Sequence, residues 1–308
     1  MYMSTSTSQR PAEHTRRSGI ARIAVGVDGY PEGNDAVALG AAIARVLDAE
    51  LMLVAVHPDP LVVLPRGADW NSVEQQTKAM LVQAREAVGA NARIAIETDL
   101  SVPRALHRVI RRERRDLLVM GSSRHGAEGH VRIGKRTRQL LCHFDCALAI
   151  APRGLHRRSE MEFRRIGVGY DGGPESEAAL LEAGSIAVAT GAELHVRGVV
   201  DDRIPAIARG VIARGPVAPD MDEGLDDEMR TLRERASAAA KSTGADADVE
   251  ISCGRPADAL LDLCTTTDLM VLGSRRWGPV ARVLLGSTGE ALLHAGSCSM
   301  LVVPRPES

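Results

Sequence analysis

Short apolar runs alternate with longer amphipathic stretches along nearly the whole chain. In the first half the runs at 21–27, 51–56, 92–98, 116–120 and 146–151 predict strands, and the stretches near 32–48, 71–88, 103–114 and 136–143 predict helices. Ala36, Leu39, Ile43 and Val46 recur at spacings of three and four, which gives the first helix one apolar face. The second half repeats the pattern, with strands at about 165–170, 192–199, 247–253, 268–272 and 298–303 and helices between them. Each half therefore carries five strands alternating with helices. That order predicts an α/β fold with a parallel sheet covered on both faces, and right-handed crossovers make it doubly wound and Rossmann-like.

The two halves are copies of one another. AVGVDGYPEGNDAVALGAA from Ala24 matches GVGYDGGPESEAALLEAGS from Gly167, so Asp28 pairs with Asp171 at an offset of 143. LLVMGSSRHG from Leu117 matches LMVLGSRRWG from Leu269, so Gly121 pairs with Gly273 at an offset of 152. The extra length is expected in the Gly- and Pro-rich segment 201–219, read as a long loop. Residues 1–18 read as a disordered polar tail, 19–153 as the first domain, 154–163 as a linker and 164–308 as the second domain.

Composition narrows the function classes. Aromatic residues are only 2% of the chain, so the core must be built from Val, Leu, Ile and Ala, as buried parallel strands require. The 38 basic and 40 acidic residues balance to a net charge of −2, which offers no global basic excess for nucleic acid. There is no membrane-length apolar run and no secretory h-region, so a cytoplasmic protein is expected. The five cysteines form no CxxC pair and read as reduced, mostly buried thiols. HEXXH and clustered carboxylates are absent, as are the nucleophile elbow and a Walker P-loop. The helix RALHRVIRRERRD, 104–116, carries six arginines, read as a solvated face with an anionic partner surface as the alternative.

In a doubly wound sheet, ligands sit beyond the carboxyl ends of the strands, where the strand order reverses. Asp28 and Asp171 follow the first strand of each half, and Gly121 and Gly273 follow the fourth. From Gly273 the spacing G-x2-R-x9-G-S leads through Arg276 to Gly286, Ser287 and Thr288 at the start of a predicted helix. First-turn N–H groups there point at any anion, and small residues let the backbone approach it. The first half has Arg124, Gly134 and Lys135 at the matching places.

VGVDG and VGYDG at the first strands, VMGS and VLGS at the fourth, and GSTGEALLHAGSCSMLVVP at the end resemble the universal stress protein family, written twice in tandem. The resemblance implies five strands in the order 3-2-1-4-5 per domain and dimer-like pairing through the fifth strands, with association of two chains as a further expectation. It implies ATP or a related adenine nucleotide, with Mg2+ as the phosphates' companion, held by the pattern G-x2-G-x9-G-[ST] as a regulatory ligand in a stress response. Carried over, the adenosine contacts are Asp28 and Val56 in one half and Asp171 and Val199 in the other. The chain departs from the pattern where the middle glycine is Arg124 or Arg276, and where Lys135 replaces a hydroxyl residue. An arginine where a loop needs positive φ would be strained, but a guanidinium there could also fork onto phosphates. No catalytic set is legible, so an enzyme is not expected. The alternatives are a scaffold with degenerate phosphate loops and, behind it, an ATP-hydrolysing or nucleotidyl-transfer enzyme.

Overall fold

The structure, a computed structural model, describes residues 18–57, 70–89, 91–134, 137–138, 146–158, 161–201, 221–276, 283–284 and 286–304. The expected tail apart from Ser18, most of the expected long loop and helix 136–143 apart from two helical residues lie outside the described residues.

The first lobe runs β1 (Arg22–Gly26), α1 (Pro31–Leu47), β2 (Glu50–His57), α2 (Trp70–Val88), β3 (Arg93–Thr98), α3 (Val102–Arg112), β4 (Leu117–Gly121) and β5 (Ala147–Ala151). The second runs β6 (Arg165–Tyr170), α4 (Pro174–Thr190), β7 (Glu193–Val200), α5 (Met221–Thr243), β8 (Ala247–Cys253), α6 (Pro256–Cys264), β9 (Leu269–Gly273), a hairpin β10 (Arg275–Arg276) and β11 (Val283–Leu284), α7 (Ser287–Ala295) and β12 (Ser299–Val303). Each predicted strand is present to within a residue or so. The short hairpin β10–β11 has no counterpart among the predicted elements, because two-residue strands leave no periodicity to read.

All ten main strands form one sheet in the order β3-β2-β1-β4-β5-β12-β9-β6-β7-β8. Each lobe thus has the order 3-2-1-4-5, and its internal pairings are parallel. The lobes join where β5 and β12 run antiparallel, with Met300 opposite Ile150, Leu301 opposite Ala149 and Val302 opposite Leu148. The fifth strands are therefore paired within one chain.

Alternation along the strands divides the core between the two faces of the sheet. Ile23 and Val25 pack with α1, α2, α4 and α5 on one face, while Ala24 packs with α3, α6 and α7 on the other. Both clusters cross the junction between lobes. On the first face Ala147, Ala149 and Ala151 leave room for α1 and α4, which touch one another across the seam. On the second face the loop after β4 bonds to the far lobe: Val131 N–H donates to Gly296 O at 2.7 Å and Ile133 N–H to Leu293 O at 3.1 Å. No described helix is long and apolar enough to cross a membrane.

A buried carboxylate fixes the segment that leaves β5. Asp35, fully buried on α1, accepts the Gly154 and His156 N–H groups, each at 2.8 Å, and contacts His156 Nδ1 at 2.5 Å. The matching position in the second lobe is Ala178. The arginines of α3 are engaged within the protein: Arg104 and Arg108 bind Asp99, while Arg108 and Arg112 bind Glu97. Arg115, just beyond the helix, is buried and reaches Glu50. This intramolecular network favours the solvated-face reading over a surface kept for an anionic partner. Of the thiols, Cys264 and Cys298 are buried, but Cys253 is exposed, against expectation.

Two outcomes follow. Asp35→Ala leaves two part-buried N–H groups without their acceptor, so it should cost about 2 kcal/mol in denaturant unfolding, whereas Ala178→Ser should cost little. Asp99 is held well below the usual carboxylate range, first by the Arg104 guanidinium, then by the Ser101 N–H, with Arg108 adding to both. A depressed acid stabilises the fold above its unfolded value and loses that contribution as pH falls through the folded one. The melting temperature of Asp99→Asn should therefore lie below that of the wild type at pH 7, with the gap closing as pH drops below about 4.

Candidate functional site

β1 pairs with β4 in the first lobe and β6 with β9 in the second, so the ends of strands one and four are neighbours in both. The turn after strand one is built by an Asp-Gly pair. Asp28 Oδ1 accepts the Tyr30 N–H at 3.2 Å, and Asp171 Oδ1 accepts the Gly173 N–H at 2.9 Å. Gly29 and Gly172 take the positive φ that such turns demand, at 78° and 75°. Each aspartate thus braces the turn that leads into α1 or α4, whose N-caps, Tyr30 and Gly173, make no side-chain cap. In the second lobe Arg235 adds a brace from α5, bonding Gly172 O and Glu177.

Gly121 and Gly273 have a packing role. A Cβ on Gly121 would lie 1.9 Å from Glu32 O, and one on Gly273 would lie 2.4 Å from Glu175 O. The first turn of α1 or α4 rests directly on the end of strand four of its lobe, which accounts for glycine at both places.

Beyond them the chain makes a hairpin excursion in both lobes. Ser123 N–H donates to Arg132 O at 2.7 Å. In the second lobe Arg275 pairs with Leu284 and Arg276 with Val283. Ser122 Oγ, buried at the root of the first hairpin, accepts the Arg132 N–H at 2.6 Å. Arg153, just past β5, ties this loop to α1 by donating to Gly126 O at 2.9 Å and pairing with Glu32 at 3.4 Å.

The Arg124 guanidinium lies over the Tyr30 ring, 5.8 Å from its centroid, a cation–π contact that links the two loops. Asp48 and Arg114 are the only described non-glycine residues with positive φ, so the loop does not need positive φ at Arg124 and the conditional strain does not arise. Gly134 closes the excursion. Among the described residues, a Cβ there would meet only Ser123 Cβ and Oγ, at 3.9 and 4.0 Å.

In the second lobe Gly286 is the N-cap of α7, at φ −62° and ψ 167°, and makes no side-chain cap. Any residue can adopt that backbone. Ser287 and Thr288 occupy the exposed to half-buried first turn. Val56 and Val199 are half-buried near the ends of β2 and β7. Next to Val56, burial pushes the His57 imidazole below its ordinary value against the pull of Glu74. Tyr170, which precedes Asp171, is buried; burial first and Glu177 second push its phenol up.

The first lobe therefore gathers Asp28, Arg124, Gly121 and Gly134 around one end of the sheet, with Val56 on the adjoining strand. In the second lobe Asp171, Gly273 and the start of α7 occupy the equivalent places. Lys135 and the side chain of Arg276 lie outside the described residues. Sequence reasoning missed Tyr30, Ser123 and Arg153. Tyr30 carried a usable signal, as one of three tyrosines in the chain and placed two residues after Asp28. Arg153 carried none, because its role depends on where β5 ends.

Comparison with known proteins identifies the family. The model of the universal stress protein family matches residues 19–152 and again 162–304. Universal stress protein Rv2005c of Mycobacterium tuberculosis is 26% identical over 294 residues, covering 91% of this chain and 96% of that protein. Universal stress protein Rv1996 of the same organism is 27% identical over 308 residues, covering 92% and 95%. A crystal structure of a universal stress protein from Archaeoglobus fulgidus superposes with a TM-score of 0.66 at 22% identity, covering 92% of this chain and 98% of that one. Twice over, and along nearly its whole length, this chain belongs to the universal stress protein family.

Proposed function

We propose that this tandem universal stress protein binds ATP or a related adenine nucleotide in its lobes as a regulatory ligand, with no turnover required. The observation that carries the reading is Gly134. It is a glycine at which the described residues leave room for a side chain, beside Ser123 and next to the loop that holds Arg124. Space next to a hydroxyl and a cation suits a phosphate. In the second lobe the N-terminal turn of α7 lacks a side-chain cap and offers its N–H groups in the same role. These residues fit a polyphosphate. Asp28 and Asp171 would hold the ribose end, and Val56 and Val199 would flank the base.

Bound nucleotide would supply charge and bridging phosphates, while the protein's part is to bind and orient them. Mg2+ would enter with the phosphates, since no group of three His, Cys, Asp or Glu among the described residues could hold a metal alone. Ligand occupancy can shift the protein between states only by its differential affinity for them.

Equilibrium titration with ATP tests the reading. Wild type should bind, Gly134→Val should lose the first-lobe site and Gly286→Val the second, each by tenfold or more, with melting temperature little changed. Gly121→Ala should instead lower the melting temperature, because its Cβ collides with the α1 backbone. Equal affinity across wild type, Gly134→Val and Gly286→Val would reject the assigned sites. Absence of binding by wild type, with no nucleotide released when purified protein is denatured, would favour the scaffold reading.

A further inference from the structure

The two phosphate-side glycines, one in each lobe, are joined through the seam by a short series of contacts. Arg138 N–H donates to Gly134 O at 3.0 Å, and Glu290 N–H donates to Gly286 O, also at 3.0 Å. Arg138 and Glu290 therefore each stand one helical turn beyond their glycine. Across the seam Arg138 Nη1 lies 3.7 Å from Glu290 Oε1, and its Nη2 lies 2.7 Å from His294 Nε2. The N–H groups of Val131 and Ile133, just ahead of Gly134, bond the C-terminal carbonyls of α7. Helix α7 thus meets the second lobe's candidate site at its N-terminus and the first lobe's loop at its other end.

We infer that the two nucleotide sites are negatively coupled through Arg138, the cation they share. This rests on the nucleotide-binding reading above. The Arg138 guanidinium, about half exposed, reaches Glu290 from the turn that follows Gly134. Among the described residues it is the cation that pairs with Glu290 in the first turn of α7. A polyanion at Gly134 draws on the same guanidinium. Glu290 is then less well compensated and opposes phosphate at the α7 N-terminus, where its own negative charge adds to that of the ligand. Filling the second site makes the reverse demand, since coupling between binding sites is reciprocal. The ion pair, exposed on both sides, contributes little to stability, so it can be altered without unfolding the seam.

The test uses ATP and the full-length chain. Single-site dissociation constants come from Gly286→Val and Gly134→Val, and stepwise constants come from wild type by calorimetry. The product of the wild-type constants divided by the product of the single-site constants should exceed fivefold. In Arg138→Gln with both sites intact, referenced to the same blocking substitutions in that background, the ratio should fall below twofold. Raising salt should also shrink the wild-type ratio. A wild-type ratio within twofold of one, with two nucleotides bound, would overturn the coupling while leaving the binding reading in place. A large ratio that survives Arg138→Gln would overturn the assignment to Arg138. Failure of wild type to bind two nucleotides would overturn both the coupling and the two-site form of the binding reading.

Discussion

The antiparallel pairing of β5 with β12 is the constraint on which the rest of the molecule depends. Each lobe by itself would end in an apolar edge strand, CALAIAP or CSMLVVP, with a row of unpaired backbone groups. Pairing the two satisfies both edges and buries Ala147–Ala151 and Ser299–Val302 almost completely. It also runs both core clusters through the seam, so the lobes share their interior on each face of the sheet. Because the pairing is antiparallel, the strands of the two lobes point in opposite directions. Helix α7 and the loop 122–134 meet at that seam, where the Val131 and Ile133 N–H groups donate to Gly296 O and Leu293 O.

Much of this was legible in the sequence because it rests on periodicity and repetition. Strand positions follow from apolar runs, and the 3-2-1-4-5 order follows from the family that those runs and glycines resemble. What was not legible depends on contacts between distant segments. Gly121 and Gly273 read as ligand glycines, but a steric reason operates first: the backbone of Glu32 or Glu175 lies where a side chain would go. Asp28 and Asp171 read as binding residues, and in the fold each braces its own turn. The loop containing Arg124 was expected to be strained on the assumption that it needs positive φ there. The hairpin hydrogen bonds of Ser122 and Ser123 hold it in an ordinary conformation, and no one-dimensional pattern reports that.

The arginine-rich helix makes the same point from charge. A count of six arginines in 104–116 suggests an open cationic surface. The balancing carboxylates, Glu97 and Asp99, lie outside the helix, at the end of β3 and in the turn beyond it. The folded turn brings them under Arg104, Arg108 and Arg112. Charge patterning along the chain could not distinguish a surface offered to a partner from one already neutralised at home.

Joining two copies in one chain also removes a restriction that a symmetric dimer would impose. Where a twofold axis relates identical subunits, a position facing its own equivalent must meet the same residue, so a charge there meets a like charge. Arg138 and Glu290 are equivalents at the repeat offset of 152, and they face each other across the seam. Only because the copies have diverged can that pair be attractive. The same freedom placed Asp35 where the chain leaves β5, with Ala178 at the equivalent place, and set Tyr30 against Arg124 while leaving Gly173 in the other copy. Pairing lobe one with lobe one across this seam would set arginine against arginine, and pairing lobe two with lobe two would set glutamate against glutamate. The divergence therefore favours the intramolecular seam over its like-with-like alternatives, and it does so beside the turns that lead to the two candidate sites.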